Sequence, residues 1–600
     1  MSESQNTVRN FCIIAHIDHG KTTLTDRILE LTSQSHHKDL REKDRLTDIL
    51  EIEQERGITI KLQPATMQWK GHTLNLIDTP GHVDFTYEVS RSLKACEGAL
   101  LLIDVTQGIQ AQTISNLLLA MEADLVIIPV INKVDLDPQL VPERLKEIKD
   151  ILGFKEDEVI LASGKTGLGI DTILDTVIEK VPAPEIPNKT SLSALIFDSF
   201  YDEHKGIVAA IRVIDGKITN ASQLHLLNTT TEFTPKEIGI FTPELVPSQE
   251  LAAGSVGYIA TGIKDIRKVG IGDTISDKKD ADAIPGYQRP VPKVFASIFP
   301  ENQEDYIDLK ESIGKLSLND AALQISDDYS PLLGQGFRVG FLGLLHLEIT
   351  KERLEREFAV RTVVTIPSVE YKAVLKTGEQ ISVKSAYDLP NISTIESLSE
   401  PFIKGEILTP SSHISSLYET VIRFRGTILN TRDLYSSQFS SYNYVVLDIE
   451  MPFAELLKGF FNTLKSVSHG FASFQYGDIS YRETKLIRID ILVNKEIVPP
   501  LSFLDIPERA VERASSMLNT LKKTIPPHVF SIPLQATVGG KIIAREDVSA
   551  FRKNVTGKLY GGDITRKKKL LENQKKKKKE MQIAGKVRIP SETFIKIINS

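Results

Sequence analysis

The sequence predicts a multidomain fold: an α/β P-loop domain, a β-barrel, two α+β ferredoxin-like domains, and a distinct C-terminal domain with a basic tail. Three observations carry that expectation. Six hundred residues are too many for one hydrophobic core and suggest roughly four or five domains. The hydropathy pattern changes character several times along the chain. The charge is also uneven, with the basic residues gathered near one end.

Residues 1–186 alternate apolar strand-like runs with helical stretches, the pattern of a parallel sheet flanked by helices. Phe11 to Ala15 is a strand-type run, and Lys21 to Leu31 reads as a helix. The loop Ala15-His16-Ile17-Asp18-His19-Gly20-Lys21-Thr22 therefore sits at a helix N-terminus. Unpaired backbone N–H groups and the helix dipole attract phosphate there. Gly20 permits close backbone approach, Lys21 neutralises the outer phosphates, and the Thr22 hydroxyl can coordinate Mg²⁺.

Four further elements follow in order: Arg56-Gly57-Ile58-Thr59, Asp78-Thr79-Pro80-Gly81-His82, Asn132-Lys133-Val134-Asp135 and Ser163-Gly164-Lys165. One phosphate-loop match arises by chance, whereas five elements in sequence define a guanine-nucleotide switch that binds GTP and GDP. Thr59 lies in the kind of polar loop that γ-phosphate and Mg²⁺ order and hydrolysis releases. Asp78 ends the alternating run His72 to Ile77 and can hold a water of the Mg²⁺ shell. Gly81 can offer its N–H to the γ-phosphate.

The strand-type run Leu125 to Ile131 leads into Asn132, Lys133 and Asp135. A carboxylate at position 135 can accept both N–H groups of the guanine Watson–Crick edge, which adenine does not offer. Ser163, Gly164 and Lys165 would reach the guanine O6 through backbone N–H. Phosphoryl transfer needs positioning, charge neutralisation and an oriented water, and His82, beside Gly81, stands where a water-orienting residue belongs. Ile17 and Ile58 form an apolar gate that would hold His82 from the water until a partner rearranges them. These motifs contain no built-in arginine finger, so an activating partner is expected.

Val181 to Pro187 is a proline-rich linker. Residues 190–282 carry short Val/Ile-rich runs, such as Ile207 to Val213, broken by Asp215-Gly216 and Ile271-Gly272-Asp273, a β-barrel signature. Residues 291–370 and 398–485 each mix a few strands with helices, for example Leu342 to Glu357. Residues 486–600 form a separate section. No tandem repeat is visible.

Hydrophobic residues make up 41% and charged residues 25%, ordinary values for a soluble globular chain. No run of eighteen apolar residues suggests a membrane span, and Met1 to Asn6 has neither an apolar signal core nor an arginine-rich leader. Cys12 and Cys96 read as buried thiols, without disulfide or zinc spacing, which fits a reducing compartment.

The formal charge is −7, yet Lys558 to Arg588 holds twelve basic residues against Asp563, Glu572 and Glu580, leaving −16 elsewhere. Arg566, Lys567, Lys568 and Lys569 precede the run Lys575, Lys576, Lys577, Lys578 and Lys579. Such a block favours structured RNA, with a solvated tail or an anionic membrane surface as the other readings.

The run Ala15 to Thr23, with the elements at Arg56 to Thr59 and Asp78 to His82, resembles the translational GTPases that work on the ribosome. Gly336 to His346 with Glu352 to Phe358, Gly539 to Glu546, and Tyr560 to Leu571 are similar to the LepA (elongation factor 4) family. The resemblance covers essentially the whole chain. It implies a cytoplasmic, ribosome-stimulated GTP hydrolase that includes Asp18, His19 and Thr23 in its nucleotide loop. It also implies the domains of the translocating elongation factor without its decoding-site domain, and a unique C-terminal domain, about 486–600, reaching transfer RNA. Back-translocation of stalled ribosomes, initiation and ribosome assembly are the roles it leaves open. Partners would be both ribosomal subunits and their RNA, with a possible peripheral contact to the inner membrane surface and no stable oligomer. Departures from the family are Gly164, where alanine is commoner, and His469, where arginine is commoner. A BipA-type ribosomal GTPase would lack the Gly-Gly-Asp-Ile-Thr-Arg-Lys motif, and an RNA-binding assembly module would use nucleotide only to fold.

Overall fold

The computed structural model describes residues 7–16, 18–32, 51–56, 59, 62–80, 86–187, 191–202, 204–242, 244–265, 268–284, 291–320, 322–330, 333–433, 444–528 and 530–551, and positions 568, 572, 589, 593 and 597. Six strands open the fold: β1 (Val8–Ala15), β2 (Gln63–Trp69), β3 (His72–Asp78), β4 (Gly98–Asp104), β5 (Val126–Asn132) and β6 (Ile160–Leu161). They form one sheet in the order β2-β3-β1-β4-β5-β6, parallel throughout except for the edge strand β2.

Helices cover both faces: α1 (Lys21–Thr32), α2 (Glu51–Arg56), α3 (Thr86–Lys94), α4 (Ala111–Glu122), α5 (Val141–Glu147) and α6 (Ile170–Lys180) belong to this part of the chain. Burial on two faces explains the unbroken apolar runs of β4 and β5. The period of two sends Phe11 and Ile13 into a core with Leu24, Ile28 and Ile173. Cys12 and Ile14 face the opposite core, and both cysteines are buried free thiols.

Residues 193–276 supply an eight-stranded antiparallel sheet. One face packs about its own core of Ile196, Ile211, Leu226, Ile259 and Ile275. The other face places Phe197, Val208, Ala210 and Tyr258 in the same cluster as Ile14, Leu101 and Ile103. The first two units thus share apolar surface, which resists their separation.

Two further sheets repeat one design. In the first, strands Val294–Pro300, Gln324–Ser330, Gly334–Phe341 and Thr362–Val364 alternate with α7 (Tyr306–Asn319) and α8 (Leu344–Arg356). The second interleaves Ile395–Pro410, Thr427–Asp433, Tyr444–Pro452 and Ser473–Glu483 with α9 (Ile414–Arg423) and α10 (Phe460–Val467). Numbering each set in chain order, both sheets run 2-3-1-4, the split βαβ, ferredoxin-like arrangement.

The stretch between them, left outside both expected domains, folds as a hairpin, Tyr371–Leu375 with Gln380–Val383. It extends the second sheet through the early residues of its long first strand. Tyr371, Ala373 and Val383 are buried, so alternate apolar residues in this segment serve the sheet rather than a linker.

The last described unit pairs strands Ile487–Val493, Ile532–Val538 and Lys541–Val548 beneath α11 (Pro507–Thr524). Pro507 suits a helix start, and Lys522 and Lys523 oppose the negative end of the dipole in the last turn. Among the described residues, no helix is long and apolar enough to cross a membrane.

Candidate nucleotide site

The carboxyl ends of β1, β3 and β5 place Ala15, Asp78 and Asn132 along one rim of the parallel sheet. Open α/β sheets bind ligands at this rim. Lys21 begins α1, and Gly20 ahead of it has φ +85°. A Cβ at Gly20 would stand 2.7 Å from Asn132 Nδ2, so both backbone angle and space demand glycine.

Lys21 Nζ lies 3.2 Å from Asp78 Oδ1. That is close enough for ion pairing but not aligned for a hydrogen bond. Lys21 Nζ, both Asp78 oxygens and Thr59 Oγ1 are buried without a hydrogen-bond partner among the described residues. Buried polar atoms normally find partners, so this set marks a place for a polar ligand. The hydroxyl and carboxylate oxygens are the hard donors Mg²⁺ takes, and the ammonium suits phosphate, so these residues fit a magnesium–nucleotide.

Asn132 ties the phosphate loop to the base loop. Its Nδ2 donates to His19 O at 2.9 Å, and its Oδ1 accepts from Gly164 N at 3.0 Å. Lys133, at φ +61°, donates to Asp18 O and pairs with Asp104 at 2.7 Å. Asp135 is exposed, and no hydrogen bond or ion pair engages it among the described residues, leaving its carboxylate available to a base. Lys165, Thr22 and Thr23 are open or half-open to solvent.

Gly164 has a steric reason. A Cβ there would meet the Leu24 backbone N at 3.1 Å, so glycine lets the base loop lie directly against α1. Ser163 is buried and its Oγ accepts from Thr166 N at 3.1 Å, which shapes the loop. His19 turns its ring into the core, with Nδ1 3.2 Å from Leu102 O and 3.3 Å from Asp104 N. Burial holds its pKa down to about 4, so the imidazole is neutral.

Two supporting residues carry no motif and were not singled out by sequence. Arg27 donates to Gly164 O at 3.1 Å and Lys165 O at 2.9 Å. Asp104 fixes Lys133, and the Lys133 hydrogen bond helps keep its carboxyl below the usual range despite burial. Arg27's spacing on α1 gave no signal, whereas Asp104, ending the apolar β4, could have been noticed.

Ile17, Ile58, Gly81 and His82 lie outside the described residues. So do Arg566, Lys567, Lys569 and Lys575 to Lys579, whereas Lys568 is described as helical and exposed.

A loop before a helix N-terminus, a second loop tied to it through Asn132 and a carboxylate-ended strand, all on one rim of a parallel sheet, mark the class of P-loop nucleotide-binding proteins. Family models match in three places: the elongation factor Tu GTP binding domain at 6–183, the elongation factor G C-terminus at 397–492, and the GTP-binding protein LepA C-terminus at 493–599. Elongation factor 4 of Aquifex aeolicus (strain VF5) is 46% identical over 99% of both chains. That of Desulfitobacterium hafniense is 44% identical, covering 100% of this chain and 99% of its own. A crystal structure from Thermus thermophilus shares the fold at TM-score 0.58 and 18% identity, over 80% of this chain and 97% of the other. The chain belongs to the elongation factor 4 (LepA) family, and it is a guanine-nucleotide-binding GTP hydrolase of protein synthesis.

Proposed function

We propose that this GTPase works on the ribosome, moving or remodelling transfer RNA on stalled complexes. The observation that carries its nucleotide chemistry is the buried, unsatisfied set Lys21, Thr59 and Asp78 beside the Asn132-linked 163–165 loop, and the elongation factor 4 relatives support the ribosome as its place of work. Thr22, Thr59 and Asp78 would hold Mg²⁺, which when bound supplies charge neutralisation to the phosphates. Lys21 and the backbone of Asp18, His19, Gly20 and Thr23 would cradle phosphate, while Gly81 binds its γ-group. Asp135 would select guanine, with Lys133 and the 163–165 loop enclosing the base. His82 would orient the water behind the gate of Ile17 and Ile58.

The domain division proposed is 1–186, 190–282, 291–370, 398–485 and 486–600. The basic residues Arg566 to Lys569 and Lys575 to Lys579 would contact RNA, since each neutralised phosphate adds a salt-sensitive contribution to binding. Cytoplasmic ribosome association with both subunits follows from this reading, and contact with an anionic membrane surface would be peripheral.

GTP turnover with and without ribosomes tests it. His82→Ala should spare GTP binding and lower stimulated turnover by about 10²–10⁴-fold. Stimulated turnover within about twofold of the unaltered protein would remove His82 from that role. Truncation after Val555 should retain GTP binding yet abolish any shift of transfer RNA, read by footprinting at two salt concentrations.

A further inference from the structure

The segment carrying Thr59 is not held by the first domain alone. Glu55, in α2, makes a two-pronged ion pair with Arg356 in the last turn of α8, both distances being 2.7 Å. Glu352, one turn earlier, also pairs with Arg356 and helps orient its guanidinium. Beside this fork, Ile52 and Ile349 are almost wholly buried against each other, with Leu345 packed on them. A fork fixes direction as well as distance, and the apolar contact keeps α2 seated.

Thr59 stands four positions after Glu55, and four such steps span about 14 Å at most. Docking α2 therefore confines where the Thr59 hydroxyl can stand. The opposite end of α8 acts through charge on α3, the helix that follows the Asp78 element. His346, in the first turn, pairs with Asp320 at 2.7 Å, and both act electrostatically on Glu88 in α3. One helix of the first ferredoxin-like sheet thus docks α2 directly and acts on α3 through charge.

We propose that Arg356 and Ile349 are positioning residues for Thr59: α8 seats α2 so that the Thr59 hydroxyl meets the metal and γ-phosphate of GTP. This rests on Thr59 being a metal ligand. Because coupling is reciprocal, GTP and not GDP strengthens the docking.

Equilibrium binding of a non-hydrolysable GTP analogue with Mg²⁺, and of GDP, to the full chain tests it. Arg356→Glu should weaken the analogue about two- to fivefold, the range of an exposed ion pair, and leave GDP unchanged. Adding Glu55→Arg should restore most of that loss, which no general damage to the fold would permit. Ile349→Ala should act in the same direction, with a melting curve confirming that the chain remains folded. Equal losses for both nucleotides, or no rescue by the reversed pair, would overturn the inference. Thr59→Ala is measured in parallel. If it lowers analogue binding while the α8 variants do not, the docking role alone is wrong. If Thr59→Ala changes nothing, the metal-ligand reading fails and the inference falls with it.

Discussion

The two ferredoxin-like sheets share one strand order but attach to their neighbours by ion pairs of very different burial. The first meets the nucleotide domain through one small apolar contact, Ile52 with Ile349, and a fork at the surface, Glu55 with Arg356, whose side chains are 58% and 35% exposed. The second meets the C-terminal unit through a buried ionic network. Glu455 binds Lys458 at 2.8 Å and approaches Arg425 and Arg509 at 3.6 and 3.5 Å. Asp505 binds Arg513 at 2.9 Å and Lys458 at 3.4 Å. Arg425 also engages Glu400. A common topology therefore fixes nothing about how firmly each sheet is held. The first joint can be changed at little cost, as a joint near a switch requires, and the second ties the C-terminal unit to its support.

The largest expected effect breaks the second joint. Asp505→Ala takes the carboxylate from Arg513 and leaves Lys458 with Glu455 alone, and breaking a buried pair costs about 3–5 kcal/mol at most here, since Arg513 keeps some solvent. Calorimetry should show the C-terminal transition falling while GTP binding stays intact. A uniform shift of all transitions would show that the network does not act locally.

A pH comparison sharpens the contrast because the two sites carry opposite signs. Glu88, 22% exposed on α3, is pushed up to about 8, chiefly by burial and against the pull of Arg91. Its folded pKa exceeds the ordinary value of 4.5, so its contribution is full below 4.5 and is lost as pH rises through about 8. Burial pushes Asp505 up, yet Lys458 and Arg513 outweigh it and leave the carboxyl below 3.8. That contribution is present above 3.8 and is lost as pH falls through the lower folded value. Hydrogen exchange, corrected for intrinsic rates, should show α3 and α8 loosening towards pH 8 while α11 keeps its protection. Parallel behaviour of the two regions would contradict the opposed signs.

The smallest effect concerns stability at the surface fork. Arg356→Ala should lower the melting free energy by no more than about 1 kcal/mol, because water and salt screen exposed pairs. A loss near that of Asp505→Ala would mean the two joints are alike.

The nucleotide rim was legible because its motifs are local. Gly20 reads as a point of close backbone approach before a helix, and the structure adds the left-handed φ of +85° that also calls for glycine. The alternating and continuous apolar runs likewise announced the parallel sheet, and β4 and β5 appear where such runs stand. Gly164 stood out only as a departure, and its closeness to Leu24 supplied the reason. The hairpin at 371–383 was missed because a short alternating segment looks the same whether it joins a sheet or crosses between domains.

By itself, the chain determined the order of its units, the helices and strands that carry the motifs, and the family to which it belongs. Those features depend on residues close in sequence, whose spacing sets backbone conformation and the faces that must be buried. Only the tertiary structure decided that Arg356 meets Glu55 across 301 positions, that Asn132 joins two loops, and that Asp505 closes a network with Lys458. A charged residue far along the chain looks alike in sequence whether it ends in water or opposite a partner. Packing of distant surfaces makes that choice, since it alone sets which charges lose solvent together.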